Sequence, residues 1–213
     1  MHLSLNKMKI YKFLENPFWY NLIIRLFSFF KRTDNLNSFL DLIFSKECKG
    51  CVLEIGSGTC QFNALYEKWL PRYFATDINV DYLKYAKETT ENTIFIVSDS
   101  QLLPFNPYSF DSIFALFMFH HLSDECVQLT LQEIDLCLKN GGTFIVMDVF
   151  LPDKWFDLTA FIAGKIDRGR HVRKRSHFLS LCAQKNLFQW REIAFKESWP
   201  YDMSAFIFKK AKS

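Results

Sequence analysis

The sequence predicts an α/β fold in which helices cover both faces of a mostly parallel sheet. From Cys51 onward, short apolar runs alternate with stretches of helical periodicity, a pattern typical of parallel strands joined by helices. The 213 residues are enough for one such domain and an additional segment. Hydrophobic residues make up 49% of the chain, which excludes a disordered protein.

The N-terminal segment is predicted to be a helical cap. Apolar residues recur at three- and four-residue spacing over residues 9–46, which predicts two helices within a cap of residues 1–46, followed by one globular unit over 47–213. The most apolar stretch, 16–32, is shorter than a bilayer span and contains Arg25, which argues against a transmembrane helix. It is interpreted as a buried or lid-forming helix, with a helix lying on a membrane surface as the alternative.

The elements of the second unit follow in a regular order. Strands are predicted at residues 51–55, 73–76, 94–97, 111–117 and 143–148, with helices at about 60–69, 80–89 and 124–139. A helical stretch over 154–165, a basic segment over 165–175 and a helix over 175–186 come next. The last two runs, 191–198 and 204–211, predict a hairpin whose final strand lies at the sheet's edge or inserts antiparallel.

Charge and cysteine content exclude several classes of function. A net charge of +3 is too small to indicate nucleic-acid binding by itself. The six cysteines fall largely in apolar patterns without a secretory signal, so we expect reduced thiols and a cytoplasmic protein. Cys48 and Cys51 form a CxxC pair, but no second pair completes a zinc site, and Cys51 begins a predicted strand rather than a redox helix. We therefore predict no metal.

The turn after the first predicted strand is the default ligand site of such a sheet. It lacks the Gly-Lys-Ser/Thr of a phosphate-binding P-loop, and Gln61 occupies the last glycine position of a dinucleotide loop. Asp77 ends the second predicted strand, where a carboxylate can accept hydrogen bonds from both hydroxyls of a ribose. Glu54 precedes Gly56 and Gly58 and suits a ligand with a cationic end. The pattern favours an adenosine ligand without a pyrophosphate.

Four stretches then carry a family resemblance: LEIGSGTCQF, YFATDIN, SDSQLLPFNPYSFDSIFALFMFHHL and LCLKNGGTFIVMD. In this order and spacing, over about 52–150, they resemble the motifs of class I S-adenosylmethionine-dependent methyltransferases. The likeness is strongest to the small-molecule branch that includes quinone-biosynthesis C-methyltransferases. Cys60 stands where that family has its third loop glycine. The resemblance implies the Rossmann-like sheet of these enzymes, with a C-terminal antiparallel hairpin.

The resemblance also implies S-adenosylmethionine as the cofactor and assigns binding roles by position. At the methionine part, the implied residues are Glu54, which orients the ammonium, Gly56, Gly58 and the backbone from Ala115 to Phe117. At the nucleoside, they are Asp77 for the ribose, Ile78 against the adenine, and Asp99 with the backbone of Ser100 for the adenine edge. For both aspartates, turn capping is the alternative.

Two histidines are the candidate catalytic residues. His120 and His121 end the fourth predicted strand, and Asp148 ends the fifth, so all three lie at the ligand-binding edge. Methyl transfer needs a general base only when the acceptor must lose a proton. We predict that one of the two histidines is that base. The alternative is that they only position the loop before the next helix.

The basic segment is the candidate acceptor site. Arg168 and Arg170 are predicted to hold a carboxylate or phosphate of the acceptor, with a solvated surface or a contact to RNA phosphates as alternatives. No Asn-Pro-Pro-Tyr-like motif of base methylation follows the fourth strand. We predict a methyltransferase acting on a small molecule. The alternatives are a nucleic-acid or protein methyltransferase, and a catalytically silent domain that binds S-adenosylmethionine and serves a partner.

Overall fold

The computed structural model describes residues 34–70, 72–151, 171–183, 188–194 and 202–212. Its strands are β1 (Cys51–Ile55), β2 (Arg72–Asp77), β3 (Thr93–Val97), β4 (Phe110–Leu116), β5 (Leu138–Phe150), β6 (Phe188–Ala194) and β7 (Asp202–Lys210). Its helices are α1 (Asp34–Glu47), α2 (Asn63–Tyr66), α3 (Val80–Thr89), α4 (Asp124–Cys137) and α5 (Arg175–Ala183), with 3-10 turns at Glu67–Trp69 and Phe119–His121.

The seven described strands form one sheet in the order β3-β2-β1-β4-β5-β7-β6. Neighbours from β3 to β5 are parallel, whereas β7 is antiparallel to both β5 and β6. The predicted sheet with its C-terminal antiparallel hairpin is therefore confirmed. Strand β7 inserts between β5 and β6 because its buried apolar run, Ala205 to Phe208, suits an interior position.

Helices cover both faces of the sheet, as predicted. On one face, α4 and α5 pack on a cluster that includes Phe144, Phe178 and Phe206. On the other face, α1, α2 and α3 contribute to a second cluster that includes Phe44 and Phe114. Much of the aromatic content of the described chain is thus core rather than binding surface.

Several predicted boundaries differ from the structure, including those of β6 and β7, and two of the differences have a local cause. The helix predicted over 60–69 begins only at Asn63, because Cys60 has a φ of 51°, a left-handed conformation that an α-helix excludes. Helix α4 ends at Cys137, and β5 begins at once with Leu138, which pairs with Phe110 across a register shift. The sequence predicts this strand only from residue 143, because the two glycines were interpreted as the end of the preceding helix.

The described part of the predicted cap is α1, which packs directly on the sheet. Its Leu40 and Ile43 are buried, and Phe44 is 0% exposed. The ring centroid of Phe44 lies 4.7 Å from that of Phe114 in β4. Because Leu40, Ile43 and Phe44 belong to one hydrophobic cluster with Phe114, the apolar face of α1 is part of the same core as the sheet.

Other predicted parts of the chain cannot be placed in this fold. The apolar stretch 16–32 and the helix predicted over 154–165 lie outside the described residues. Among the residues that are described, no helix is long and apolar enough to cross a membrane.

We expect Phe44→Ala to lower the free energy of unfolding by about 3–5 kcal/mol, because it leaves a cavity beside Tyr66 and Phe114 in a closely packed core. Leu42 lies on the same helix and is 49% exposed, so Leu42→Ala is the matched control, with an expected loss below about 1 kcal/mol. Denaturant unfolding of both variants checks this. Equal small losses would show that α1 does not share the sheet's core.

Candidate active site

A cleft of about 500 Å³ opens at the carboxyl ends of the central strands. The predicted site residues that line it are Glu54, Gly56, Gly58, Asp77, Ile78, Asp99, Ser100, Phe117 and His121. His120 is described but is not among the lining residues. Arg168 and Arg170 lie outside the described residues. The fold therefore brings most of the predicted residues to one cavity.

The cleft lies at this position because the strand order reverses at β1. The chain proceeds outward through β2 and β3 and then returns to place β4 on the other side of β1. The loops after β1 and β4 consequently diverge, which is the usual origin of a ligand crevice in an open parallel sheet.

The turn after β1 depends on left-handed backbone at three positions. Gly56, Gly58 and Cys60 have φ values of 69°, 55° and 51°. A Cβ atom at Gly56 would lie 2.5 Å from Met118 Cγ, so a larger residue there would displace Met118 from the cleft wall. Cys60 adopts the conformation that a glycine would adopt without strain. Burial raises the pKa of its thiol well above the ordinary value, so Cys60 is a neutral packing group.

Asp77 connects this turn to the end of β2. One carboxylate oxygen accepts a hydrogen bond from the Gly58 amide at 2.8 Å, and the other accepts one from the Asn79 amide at 2.8 Å. Burial raises the pKa of Asp77, although these amides act in the opposite direction. Asp77 is thus a turn-capping residue that also lines the cleft, and its binding of a ribose stays a prediction.

The loops after β2 and β3 form the end of the cleft that the sequence assigns to adenine. Ile78 is 70% exposed at the cleft edge. Asp99 accepts hydrogen bonds from the backbone and side-chain nitrogens of Gln101. The Ser100 hydroxyl lies 2.9 Å from that of Thr130 on α4, which fixes this loop against a helix.

Glu54 lies in the floor of the cleft and is only 3% exposed. Tyr66 donates a hydrogen bond to its carboxylate at 3.2 Å, and Tyr73 donates another. Burial raises the pKa of Glu54 to about 8, while the two tyrosine hydroxyls act to lower it. The sequence predicted the acid but not the two tyrosines that hold it.

Phe117 and its neighbours form the wall that follows β4. Phe117 has a φ of 54°, and its amide donates a hydrogen bond to the Met147 carbonyl at 2.8 Å. The Phe117 ring centroid lies 5.9 Å from that of Phe62. With Met118 and Leu122, these rings make this side of the cleft predominantly apolar.

The two predicted histidines occupy different environments. His120 is buried, and Asp148 binds both its ring and its backbone: Nδ1 lies 2.6 Å from Oδ1, and the amide donates to Oδ2 at 3.0 Å. His121 is exposed and lines the cleft. The two ring centroids are 4.0 Å apart. His121 is therefore the histidine that a ligand can reach, with His120 and Asp148 behind it.

Arg173 holds the turn that carries both histidines. It is 8% exposed, and its guanidinium donates to the carbonyls of Phe119 at 2.9 Å and Leu122 at 2.6 Å and to the carboxylate of Asp124 at 3.2 Å. The sequence grouped Arg173 with a basic cluster facing solvent or acceptor. The structure places it in the interior, where its guanidinium binds the Leu122 carbonyl and the Phe119 carbonyl, which also accepts from the Leu122 amide.

The cysteine pair lies at the amino end of β1, away from the cleft at its carboxyl end. Cys48 and Cys51 are free thiols, and burial raises the pKa of both. Within the described ranges, no group of three or more His, Cys, Asp or Glu side chains is arranged to hold a metal ion.

Comparison with known proteins adds a family to this geometry. Residues 53–146 match the family described as a methyltransferase domain. The chain is 29% identical over 149 residues to the demethylmenaquinone methyltransferase of Thermotoga maritima, an alignment that covers 69% of this chain and 62% of that protein. The chain therefore spans less than two thirds of the length of that relative.

Solved structures show the same fold at lower identity. The PH0226 protein from Pyrococcus horikoshii has a TM-score of 0.68 and 20% identity over 84% of this chain and 89% of its own. A SAM-dependent methyltransferase from Aquifex aeolicus has a TM-score of 0.64 and 16% identity over 82% of this chain and 89% of its own.

We expect Asp77→Ala to weaken the binding of S-adenosylmethionine and of S-adenosylhomocysteine by roughly 1–3 kcal/mol, because each would lose hydrogen bonds to a charged group. Isothermal titration calorimetry measures both affinities. Asp81→Ala is the matched control, because Asp81 is an exposed aspartate at the start of α3 outside the cleft. Tighter binding of NAD than of S-adenosylmethionine by the wild-type protein would contradict the assignment of the cleft.

Proposed function

We propose that this chain, which belongs to the class I S-adenosylmethionine-dependent methyltransferases, transfers the methyl group of S-adenosylmethionine to a small-molecule acceptor. The observation that carries the proposal is that one cleft is lined by Asp77 and Asp99 at one end and by Phe117 and His121 at the other. Donor and acceptor can therefore meet in a single cavity. Its volume of about 500 Å³ lies in the usual range for small-ligand pockets.

The apolar wall around Phe117 supports an acceptor with an aromatic or otherwise apolar body. Phe62, Met118 and Leu122 contribute to the same wall, and flat aromatic surfaces bind such ligands favourably. The Thermotoga maritima relative is named for demethylmenaquinone, which is consistent with this shape and chemistry. We therefore propose an electron-rich ring as the acceptor.

The charge near the cleft argues against a nucleic-acid acceptor. Of the basic segment's described residues, Arg173 is buried against backbone carbonyls. Arg175 donates to Ser204 and lies 3.6 Å from the carboxylate of Glu192. These two guanidinium groups are thus engaged within the protein, whereas a phosphate backbone is bound by arginine and lysine side chains that face it.

The proposed reaction is an in-line displacement. A ring carbon of the acceptor attacks the methyl carbon, the bond from that carbon to the sulfonium sulfur breaks, and S-adenosylhomocysteine leaves as a neutral thioether. The methylated ring carbon then loses its proton to a base and regains aromaticity. The protein mainly aligns the reactants and excludes water, and it supplies the base.

We propose that His121 accepts this proton and that His120 positions it. His121 lines the cleft, whereas His120 is held by Asp148 and contacts the His121 ring from behind. Arg173 fixes the carbonyls on either side of the pair. His120 is thus a positioning residue rather than a group in contact with the acceptor.

Transfer of a labelled methyl group tests the function directly. The wild-type protein is incubated with labelled S-adenosylmethionine and, separately, reduced demethylmenaquinone, a pool of small aromatic acceptors, RNA, and protein. We expect label in a small aromatic product. Label in RNA or protein would contradict the proposed acceptor, and binding of S-adenosylmethionine without transfer to any pool would favour the catalytically silent alternative.

We expect His121→Gln to lower kcat by about 10²–10⁴-fold, the usual range for loss of a general base, while the affinity for S-adenosylmethionine changes little. Steady-state rates with the acceptor identified above measure kcat, and calorimetry measures binding. His171→Gln is the control, because His171 is exposed and lies close to the turn without lining the cleft. Equal rates for the two variants would exclude His121 as the base.

We further propose that the acceptor carries an anionic group held by Arg168 or Arg170. This part rests on the sequence, since both residues lie outside the described ranges. A guanidinium makes paired hydrogen bonds to an anion that lysine cannot reproduce. Arg168→Lys or Arg170→Lys should therefore raise the acceptor's KM about tenfold or more, with cofactor affinity unchanged.

Lys174 provides the control for this prediction, because it is exposed and belongs to the same basic segment. Arg173 and Arg175 are unsuitable, since changing them also breaks internal hydrogen bonds. If Lys174→Ala raises KM as much as the arginine variants do, with a steep salt dependence, charge alone is responsible and the specific contact is excluded.

A further inference from the structure

The buried carboxyl of Glu54 forms a closed cluster with two tyrosines. Both Glu54 oxygens lie 3.2 Å from the Tyr66 hydroxyl, and Tyr73 donates to one of them. Tyr66 and Tyr73 are each 1% exposed and are shielded by the ring of Phe114. Glu54 and Tyr66 nevertheless line the cleft, so the cluster is almost fully buried but lies next to the space that a ligand would occupy.

No positive charge compensates this carboxyl within the described part of the chain. The groups that act most strongly on Glu54 are the hydroxyls of Tyr73 and Tyr66 and the carboxylate of Asp77. The thiols of Cys60 and Cys48 also lie within electrostatic range. A buried carboxylate without a cationic partner is costly, and such a group retains its proton instead. Burial therefore outweighs the two tyrosine hydrogen bonds and raises the pKa of Glu54 to about 8.

The two forms of the cofactor differ in net charge. S-adenosylmethionine has a carboxylate, an ammonium and a sulfonium and so carries one net positive charge. S-adenosylhomocysteine lacks the sulfonium and is neutral overall. Both forms carry the ammonium that Glu54 is expected to orient, and in both the ligand's own carboxylate balances that charge. Only the methyl donor therefore adds a net positive charge to a cleft whose floor holds a potential anion, and opposite charges in a poorly solvated site attract strongly.

We infer that Glu54 holds a proton in the ligand-free protein and releases it when the cationic methyl donor binds, so that the Glu54–Tyr66–Tyr73 cluster distinguishes the donor from its neutral product. The inference rests on the proposed function only for the identity of the two ligands. Transfer removes the sulfonium charge, and Glu54 then takes a proton back from solvent. Over one turnover, the proton released on binding equals the proton regained, so the cluster adds no net proton to the reaction.

Proton release is measured by titration calorimetry at pH 7 in two buffers with different ionisation enthalpies. We expect the wild-type protein to release roughly 0.5–1 proton for each S-adenosylmethionine bound, since most of Glu54 is protonated below its pKa of about 8. S-adenosylhomocysteine should release much less. With Glu54→Gln, the release in excess of that with S-adenosylhomocysteine should vanish. This variant also controls for proton release by the amino group of the ligand, which titrates near the same pH and is the same in both ligands.

Tyr73→Phe provides a second test that keeps the carboxyl in place. Loss of one hydroxyl donor makes ionisation of Glu54 harder, so affinity for S-adenosylmethionine at pH 7 should fall roughly threefold or more, while affinity for S-adenosylhomocysteine changes less. Tyr85→Phe is the matched control, because Tyr85 lies on α3 and does not line the cleft.

The outcomes separate this inference from the proposed function. Equal heats in both buffers, or an excess of proton release with S-adenosylmethionine that survives Glu54→Gln, would overturn the inference while leaving the methyl-donor site intact. Equal losses for both ligands with Tyr73→Phe would also overturn it. Failure of the wild-type protein to bind S-adenosylmethionine would overturn the proposed function and, with it, this inference.

Discussion

The hydrogen bond from the Gly58 amide to the Asp77 carboxylate is the interaction on which the ligand edge of this sheet depends. It joins the turn after β1 to the end of β2 at 2.8 Å. The other carboxylate oxygen binds the Asn79 amide, and the Asn79 side chain in turn caps α3 through the amides of Asp81 and Tyr82. One side chain thus fixes a turn, a strand end and a helix start. A turn with left-handed backbone needs such external support.

The parts of the fold that depend on local pattern were predictable from the sequence. The predicted bounds of β1 and α3 agree with the structure, because apolar runs and Gly-Ser-Gly-Thr are direct signals of strand and turn. Contacts between distant residues were not predictable in this way. A single acid in the apolar run CVLEI requires buried donors, and Tyr66 and Tyr73 carry hydroxyls in apolar surroundings, but only the fold brings these residues together.

The two ends of the cleft are built differently, and this difference explains which site residues sequence reasoning missed. The end that contains Asp77 and Asp99 is formed by turns, each of which can be predicted from a few consecutive residues. The end that contains His121 depends on Arg173, which reaches the carbonyls of Phe119 and Leu122 from a segment far along the chain. A basic side chain in a basic run gives no sign that it will be buried. Only the fold shows that the carbonyls of Phe119 and Leu122 lie within its reach.

The turn after β1 and the charges around it also determine which ligand the cleft accepts. A pyrophosphate in a dinucleotide fold needs a helix N-terminus directed at it, but α2 comprises only Asn63–Tyr66, and a single turn has little dipole to offer. The cleft is lined by three acids, Glu54, Asp77 and Asp99, and by no lysine or arginine among the described residues. Such a lining repels a polyanion and attracts a cation. A nucleoside that carries a sulfonium instead of phosphates satisfies both conditions, and the turn keeps its left-handed backbone at Cys60 without a third glycine.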